Sequence, residues 1–293
     1  MALQQIAFEV AAADLEPVEA LLEGFGALAV TSQSEDGSVL LEPGVGEHPL
    51  WERVRVTALL PEQTDPEPIR RQIDATLGDR VTGWQVEELE DRAWEREWLE
   101  HFRPMRFGQR LWVVPSEMEP PLPEDAVAVR VDPGLAFGTG THETTALCLE
   151  WLDQESLAGQ YGVDYGAGSG LLAVAAVRLG ARGCMAVDND PQAVRATQEN
   201  AERNGVAGAV AAHPAADHPP CCADFLVANI LSATLVALAD ELLALVREGG
   251  RIALSGILDG QQERVMAAFQ GRVVWDPVAH RGDWVRISGT CTA

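Results

Sequence analysis

From Tyr161 onward the chain alternates short apolar runs with helical ones: YGVDYG, LLAVAAVRLGA, GCMAVDND, PQAVRATQENAERNG, GAVAAH, ADFLVANI, ATLVALADELLALVREGG, RIALSGI, GQQERVMAAF, RVVWDP and WVRISG. This pattern limits the fold more than any other feature. Strands separated by helices are not joined as hairpins; they enter a mostly parallel sheet with helices on its faces. RVVWDP and WVRISG lie too close together for a crossover helix and should be antiparallel neighbours. RLWVVPS (110–116) and VAVRVDP (127–133) read as strands further upstream. Residues 106–293 are therefore predicted to form a doubly wound α/β domain, Rossmann-like, with a seven-stranded sheet.

The first ninety residues follow another order. IAFEVAA (6–12), ALAVTSQ (27–33), RVRVTALL (53–60) and WQVEELE (84–90) read as strands, with SVLLEPG (38–44) as a possible extra one. DLEPVEALLEGFG (14–26) and DPEPIRRQIDATLG (65–78) have apolar residues at helical spacing and end in glycine. The order β-α-β-β-α-β predicts a small α+β, ferredoxin-like sandwich over 1–90. It has no cysteine and no clustered loop acids, so binding suits it better than catalysis. AWEREWLEHF (93–102) puts Trp94, Trp98 and Phe102 on one face of a helix that Pro104 stops. This is read as a linker helix over 91–105.

In DYGAGSG, Gly166, Gly168 and Gly170 fall between a strand and a helix. Glycine there admits a ligand close to the backbone, and the helix N-terminus offers free N–H groups. Leu171 stands where a dinucleotide fingerprint needs its third glycine, so a pyrophosphate fits poorly. Asp164, at the strand end, would repel a diphosphate and suits a cation such as an amino acid's ammonium. Asp188, 22 residues after Gly166, ends the next strand and can accept two hydrogen bonds from ribose hydroxyls. Its other possible task, capping the following helix, is one for which Asp190-Pro191 is already placed. Asn229 closes ADFLVAN at the switch point where open sheets hold ligands. With Ile230 and Leu231 it would line a transfer site, its carbonyl accepting from an incoming amine; it is equally placed to cap the helix near Ser232. A ligand with a ribose, an ammonium and no phosphate cradle fits S-adenosylmethionine better than NAD, FAD or ATP.

The net charge of the 293 residues is −24. Such a field repels phosphate backbones and attracts basic partners, and no basic stripe offers a nucleic-acid footprint. All 21 basic residues are arginine, as composition bias in a GC-rich genome would produce. No apolar run reaches the roughly 18 residues that span a bilayer. MALQQIAFEV lacks the basic start of a secretory signal. The five cysteines have no metal-ligand spacing and read as reduced thiols of a cytoplasmic protein, with no metal. No long exposed apolar stripe calls for a second subunit, so a monomer is expected.

These motifs belong to a longer set. WEREWLEHFRPMRFG, DPGLAFGTGTHETT, VDYGAGSG, AVDNDPQAV with ENAERNGV, VANIL, LSGIL and DWVRISG run along nearly the whole chain. Together they resemble the ribosomal protein L11 methyltransferase family (PrmA). The glycine cluster alone indicates a class I methyltransferase; DPGLAFGTGTHETT with VANIL is the specific part. The resemblance implies an N-terminal substrate-recognition domain at 1–90, a flexible linker at 91–105 and a catalytic domain at 106–293. It implies methyl transfer from S-adenosylmethionine to lysine side chains and the N-terminal amine of ribosomal protein L11, a basic protein. Matched by position, the family's cofactor residues correspond to Thr145, Gly166, Asp188 and Asn229. The residue-by-residue reading adds Asp164, Gly168, Gly138 and Leu231. FGTGTHETT would close over the cofactor, with Phe137 near the methyl group and Thr145 at the amino-acid end. Ala167 replaces a cysteine common in relatives, and HPAADHPPCC (213–222) is idiosyncratic and expected to be a surface loop.

Methyl transfer to an amine is an in-line displacement in which positioning supplies much of the rate. Freeing the lone pair of a lysine costs roughly 4–5 kcal/mol at pH 7. A carboxylate in contact would raise that cost, so the acidic charge should act at a distance and the transfer site should be weakly polar. No general base is assigned. His142 is the tempting candidate, but a loop histidine more often fixes a turn by hydrogen bonding.

Overall fold

The computed structural model describes residues 3–34, 53–89, 103–131 and 142–292. The chain divides into two compact units, Met1–Trp98 and Leu99–Ala293. The division falls inside the stretch read as a linker; Trp94, Trp98 and Phe102, and the strand read at 38–44, lie outside the described residues.

In the first unit β1 (Leu3–Ala11), α1 (Leu15–Gly24), β2 (Ala29–Ser34), β3 (Arg53–Pro61), α2 (Pro66–Leu77) and β4 (Thr82–Leu89) follow one another. The strands form an antiparallel sheet in the order β2-β3-β1-β4. Period-two patterning builds it. Ile6, Phe8 and Val10 of β1 and Val54, Val56, Ala58 and Leu60 of β3 are buried together with Val18 and Leu22 of α1 and Ile69, Ile73 and Leu77 of α2. Asp65 starts α2 by accepting a hydrogen bond from the Glu67 amide at 3.0 Å, with Pro66 in the first turn. Asp14 ends a 3-10 turn before α1, and its carboxylate holds Arg80 at 2.5 Å.

The second unit opens with a small sheet. β5 (Met105–Phe107) is antiparallel to β6 (Leu111–Val114), which is parallel to β7 (Val127–Arg130). After α3 (Glu143–Gln154) come β8 (Tyr161–Tyr165), α4 (Leu171–Arg178), β9 (Gly183–Asp188), α5 (Pro191–Arg203), β10 (Val210–Pro214) and β11 (Ala223–Asn229). Then follow α6 (Ser232–Ala237), α7 (Ala239–Ala244), β12 (Val246–Leu258), α8 (Gln262–Ala268), β13 (Val273–Trp275), β14 (Ala279–Arg281) and β15 (Trp284–Cys291). The main sheet runs β10-β9-β8-β11-β12-β15-β13, with β14 attached to β15. β8 to β12 are mutually parallel, and β15 is antiparallel to both β12 and β13, as the short connection requires.

ATLVALADELLALVREGG is not one helix. It breaks between α6 and α7 at Leu238, and VREGG is already strand. Gly249 takes φ +70° there, and Arg247 Nε reaches Asp224 Oδ1 of the neighbouring strand at 2.8 Å. Two adjacent glycines are poor helix formers, so this sheet contact decides.

The sheet's two faces differ. Val163, Tyr165, Met185, Val187, Leu226, Ile252, Leu254 and Ile287 share one apolar cluster with Leu235, Leu242 and Val265 of α6, α7 and α8. Intervening positions include Asp164, Phe225, Ser255 and Arg286, all buried. α3 packs against β11, β12 and β15. Arg286 Nη1 donates to the Leu147 carbonyl of α3 at 2.9 Å. Gly162 is required at its place in β8: a Cβ there would lie 2.1 Å from Phe225 Cζ.

Candidate cofactor site

The turn between β8 and α4 is held in a left-handed course, with φ of +76°, +55° and +74° at Gly166, Gly168 and Gly170. Only glycine adopts this freely. Two of the three also face close neighbours. A Cβ on Gly166 would fall 2.2 Å from Ile230 Cγ2, and one on Gly170 would fall 2.6 Å from Thr197 Cγ2. The Gly166 and Ala167 amides donate to the Val187 carbonyl at 2.8 and 3.0 Å, so β9 carries the turn.

Asp188, at the end of β9, accepts from the Gly168 amide at 2.8 Å through one oxygen and from the Asp190 amide at 2.9 Å through the other. Asp190 caps α5 by accepting from Gln192 N at 2.7 Å. The capping task is thus taken, and each Asp188 oxygen keeps a lone pair for a ribose hydroxyl. Asp164 lies beneath the turn. It is 0 % exposed and stands off the cleft wall. Its Oδ2 accepts from the Ala173 amide of α4 at 2.9 Å, while Oδ1 has no hydrogen-bond partner among the described residues. Burial, with the charge of Asp188 adding to it, pushes this carboxyl from 3.8 up to about 7.

Thr145, Gly166, Gly168 and Asn229 meet around one cleft, together with Ala167, Ser169, Leu171 and Leu172. Every one of these lining residues is uncharged. Asn229 Nδ2 donates to Thr145 Oγ1 at 3.2 Å, which joins β11 to α3 and leaves the amide oxygen for another donor. Leu231, not Asn229, stands at the N-cap of α6, and no side chain caps it. The second role open to Asn229 is therefore not used. Leu231 is 57 % exposed. His142 caps α3, its Nδ1 accepting from Thr144 N at 3.3 Å and lying 2.8 Å from Thr144 Oγ1. Its ring meets Trp284 edge-on at 4.9 Å. Phe137 and Gly138 lie outside the described residues.

Ile230, read from sequence as lining the transfer site, packs against Gly166; sequence reasoning missed Thr197 and Asn200, which hold the turn from α5. Thr197 Oγ1 donates to the Gly168 carbonyl at 3.2 Å and Asn200 Nδ2 to the Ser169 carbonyl at 2.8 Å.

A parallel sheet with one reversed strand, a glycine turn at its carboxyl edge and an acid at the end of the next strand define a class I, S-adenosylmethionine-dependent methyltransferase. Residues 2–292 match the model of the ribosomal protein L11 methyltransferase (PrmA) family. The chain belongs to that family. It is 66 % identical over 293 residues to the ribosomal protein L11 methyltransferase of Halorhodospira halophila, covering all of both chains. It is 52 % identical over 288 residues to that of Alkalilimnicola ehrlichii, covering 98 % of each. Among solved structures, a ribosomal protein L11 methylase from Lactobacillus delbrueckii subsp. bulgaricus superposes with a TM-score of 0.59 at 29 % identity. That match covers 66 % of this chain and 99 % of that one. The residues fit the cofactor: Asp188 keeps acceptors that a ribose could use, the glycine turn admits a close approach, and the Asp164 oxygen without a partner among the described residues would add negative charge near a bound cationic group when ionised.

Proposed function

We propose that this chain methylates lysine side chains and the N-terminal amine of ribosomal protein L11. The observation that carries the reading is the meeting of Thr145, Gly166, Gly168 and Asn229, from separate elements, around one uncharged cleft. When bound, S-adenosylmethionine supplies an electrophilic methyl group on a positively charged sulfur. The chain's residues orient it: Asp188 takes the ribose, Gly166 and Gly168 admit the amino-acid part, and Thr145 fixes its end. Asp164 lies below, where an ammonium would draw off its proton.

Asn229 offers its amide oxygen to an amine N–H and holds the nitrogen in line. With the nitrogen so held, the methyl group that S-adenosylmethionine supplies would pass to it, leaving the S–C electron pair on sulfur, and the amine proton would pass to water. A neutral lining does not favour the protonated amine, as a carboxylate in contact would. His142 serves as a helix cap and is given no proton-transfer role. Leu231, exposed two residues past Asn229, suits the apolar stem of an incoming lysine. Phe137 and Gly138 are placed over the cofactor on the sequence reading; Phe137→Ala is expected to lower kcat, and normal turnover would remove that role.

Residues 1–90 would recognise L11 and 91–105 link the two domains. A net charge of −24 draws a basic protein in. A cytoplasmic monomer that binds neither nucleic acid nor membrane suits this work. The test is mass spectrometry of L11 after incubation with the chain and S-adenosylmethionine. Methyl groups on lysines or the N-terminal amine are expected; none, or methylation of ribosomal RNA instead, overturns the reading.

A further inference from the structure

Three polar side chains stand along one face of α5 and its end: Thr197, Asn200 and Asn204, spaced i, i+3 and i+7. All three are buried. Thr197 and Asn200 hold the carbonyls of Gly168 and Ser169, as described above. Asn204 works in both directions. Its Oδ1 accepts from the Arg130 amide at 2.7 Å, and its Nδ2 donates to the Arg130 carbonyl at 2.7 Å and to the Asn200 carbonyl at 2.8 Å. A side-chain amide that closes both backbone groups of one residue stands in, at Arg130, for a second strand on the edge of β7 away from β6. The guanidinium of Arg130 then donates to the Ser116 and Met118 carbonyls at 3.0 Å each. One helix face thus grips two segments far apart in sequence: the glycine turn and the end of β7.

We propose that Thr197, Asn200 and Asn204 are positioning residues that set cofactor affinity. With the carbonyls of Gly168 and Ser169 drawn toward α5, the turn is ordered before the cofactor arrives. Without that grip, binding must order the turn itself, and affinity falls. Chemistry after binding is untouched, because none of the three lines the cleft. The proposal rests on the reading that the glycine turn carries S-adenosylmethionine.

The experiment compares Asn200→Ala, Asn204→Ala, Thr197→Val, which keeps shape but loses the hydroxyl, and Thr197→Ser, which keeps it. Calorimetry with S-adenosylhomocysteine gives Kd, and initial rates with L11 give KM for the cofactor and kcat. Kd and KM are expected to rise about 5- to 10-fold in Asn200→Ala, the size of one lost hydrogen bond to the turn, and by less in Asn204→Ala, which reaches the turn only through Asn200. Thr197→Val should show a smaller rise and Thr197→Ser none, with kcat within about twofold throughout. Unchanged Kd in both alanine variants, or a fall in kcat at unchanged Kd, overturns the proposal. If the alanine variants do not fold, equal affinities in Thr197→Val and Thr197→Ser overturn it. Asp188→Ala is measured alongside. If it binds normally, the site reading itself has failed; if it loses affinity while the α5 variants keep theirs, only the positioning role is lost.

Discussion

Asp164→Asn tests the electrostatics beneath the glycine turn. In the folded chain this carboxyl is fully buried, with one oxygen on the Ala173 amide and the other without a partner among the described residues. Its affinity for a proton rises from the ordinary 3.8 to about 7. The native state therefore holds the proton more tightly than the unfolded chain. The resulting stability is fully present below pH 4 and is lost as the pH rises to 7, after which it stays lost. Three decades of proton affinity correspond to about 4 kcal/mol, an upper bound for a site that can relax. Asparagine keeps an acceptor for Ala173 and does not titrate. Its new N–H group has a fixed cost at every pH, so the slope of the difference isolates Asp164. Urea unfolding at pH 4, 5.5, 7 and 8.5 should show wild type losing several kcal/mol relative to Asp164→Asn between the first and third points. Parallel curves for the two proteins would refute the argument. Around pH 7 part of the Asp164 population holds a proton, so a bound ammonium should expel a fraction of a proton. Calorimetry in buffers of different ionisation enthalpy would detect it, and the signal should vanish in Asp164→Asn.

Gly166→Ala adds a Cβ 2.2 Å from Ile230 Cγ2 at φ +76°. It should cost about 1–2 kcal/mol from the backbone alone and weaken S-adenosylhomocysteine binding, with Ile230→Ala relieving the collision but not the strain. Normal binding by the single variant would show that the turn tolerates a side chain. Asn229→Ala removes the link to Thr145 and should lower kcat about a hundredfold through misplacement; a steady-state kcat within twofold of wild type contradicts its role. Association of L11 should slow roughly tenfold between about 0.01 and 0.15 M salt, because screening shortens the reach of the acidic field. A stopped-flow rate independent of salt would remove long-range attraction from the account.

The alternation of strands and helices was legible because each apolar run is bounded by glycine or an acid, as in VDYGAGSG and AVDND. The antiparallel pairing of β13 and β15 followed from loop length alone. VREGG misled, since nothing local says that Arg247 will find Asp224 on the next strand. Asp188 and Asn229 carried two readings each from sequence. The structure takes the capping task from both: Asp190 caps α5, as its place before Pro191 suggested, and Leu231 stands at the N-cap of α6. Asp164 was read as a direct partner of the ligand's ammonium. Its actual depth depends on the amide of Ala173 and the helices over that face, which a strand pattern does not contain. The α5 grip went unread because ENAERNG looks like an ordinary solvated helix until the turn it touches is known.

β15 is made after every other strand of the main sheet, yet it lies between β12 and β13. Until it leaves the ribosome, β12 has a naked edge and β13 has nothing to pair with. The order of synthesis and the order of assembly are thus opposed. A truncation before Trp284 removes one strand from the chain but detaches β13 and β14 as well, and leaves a long parallel edge open to intermolecular pairing.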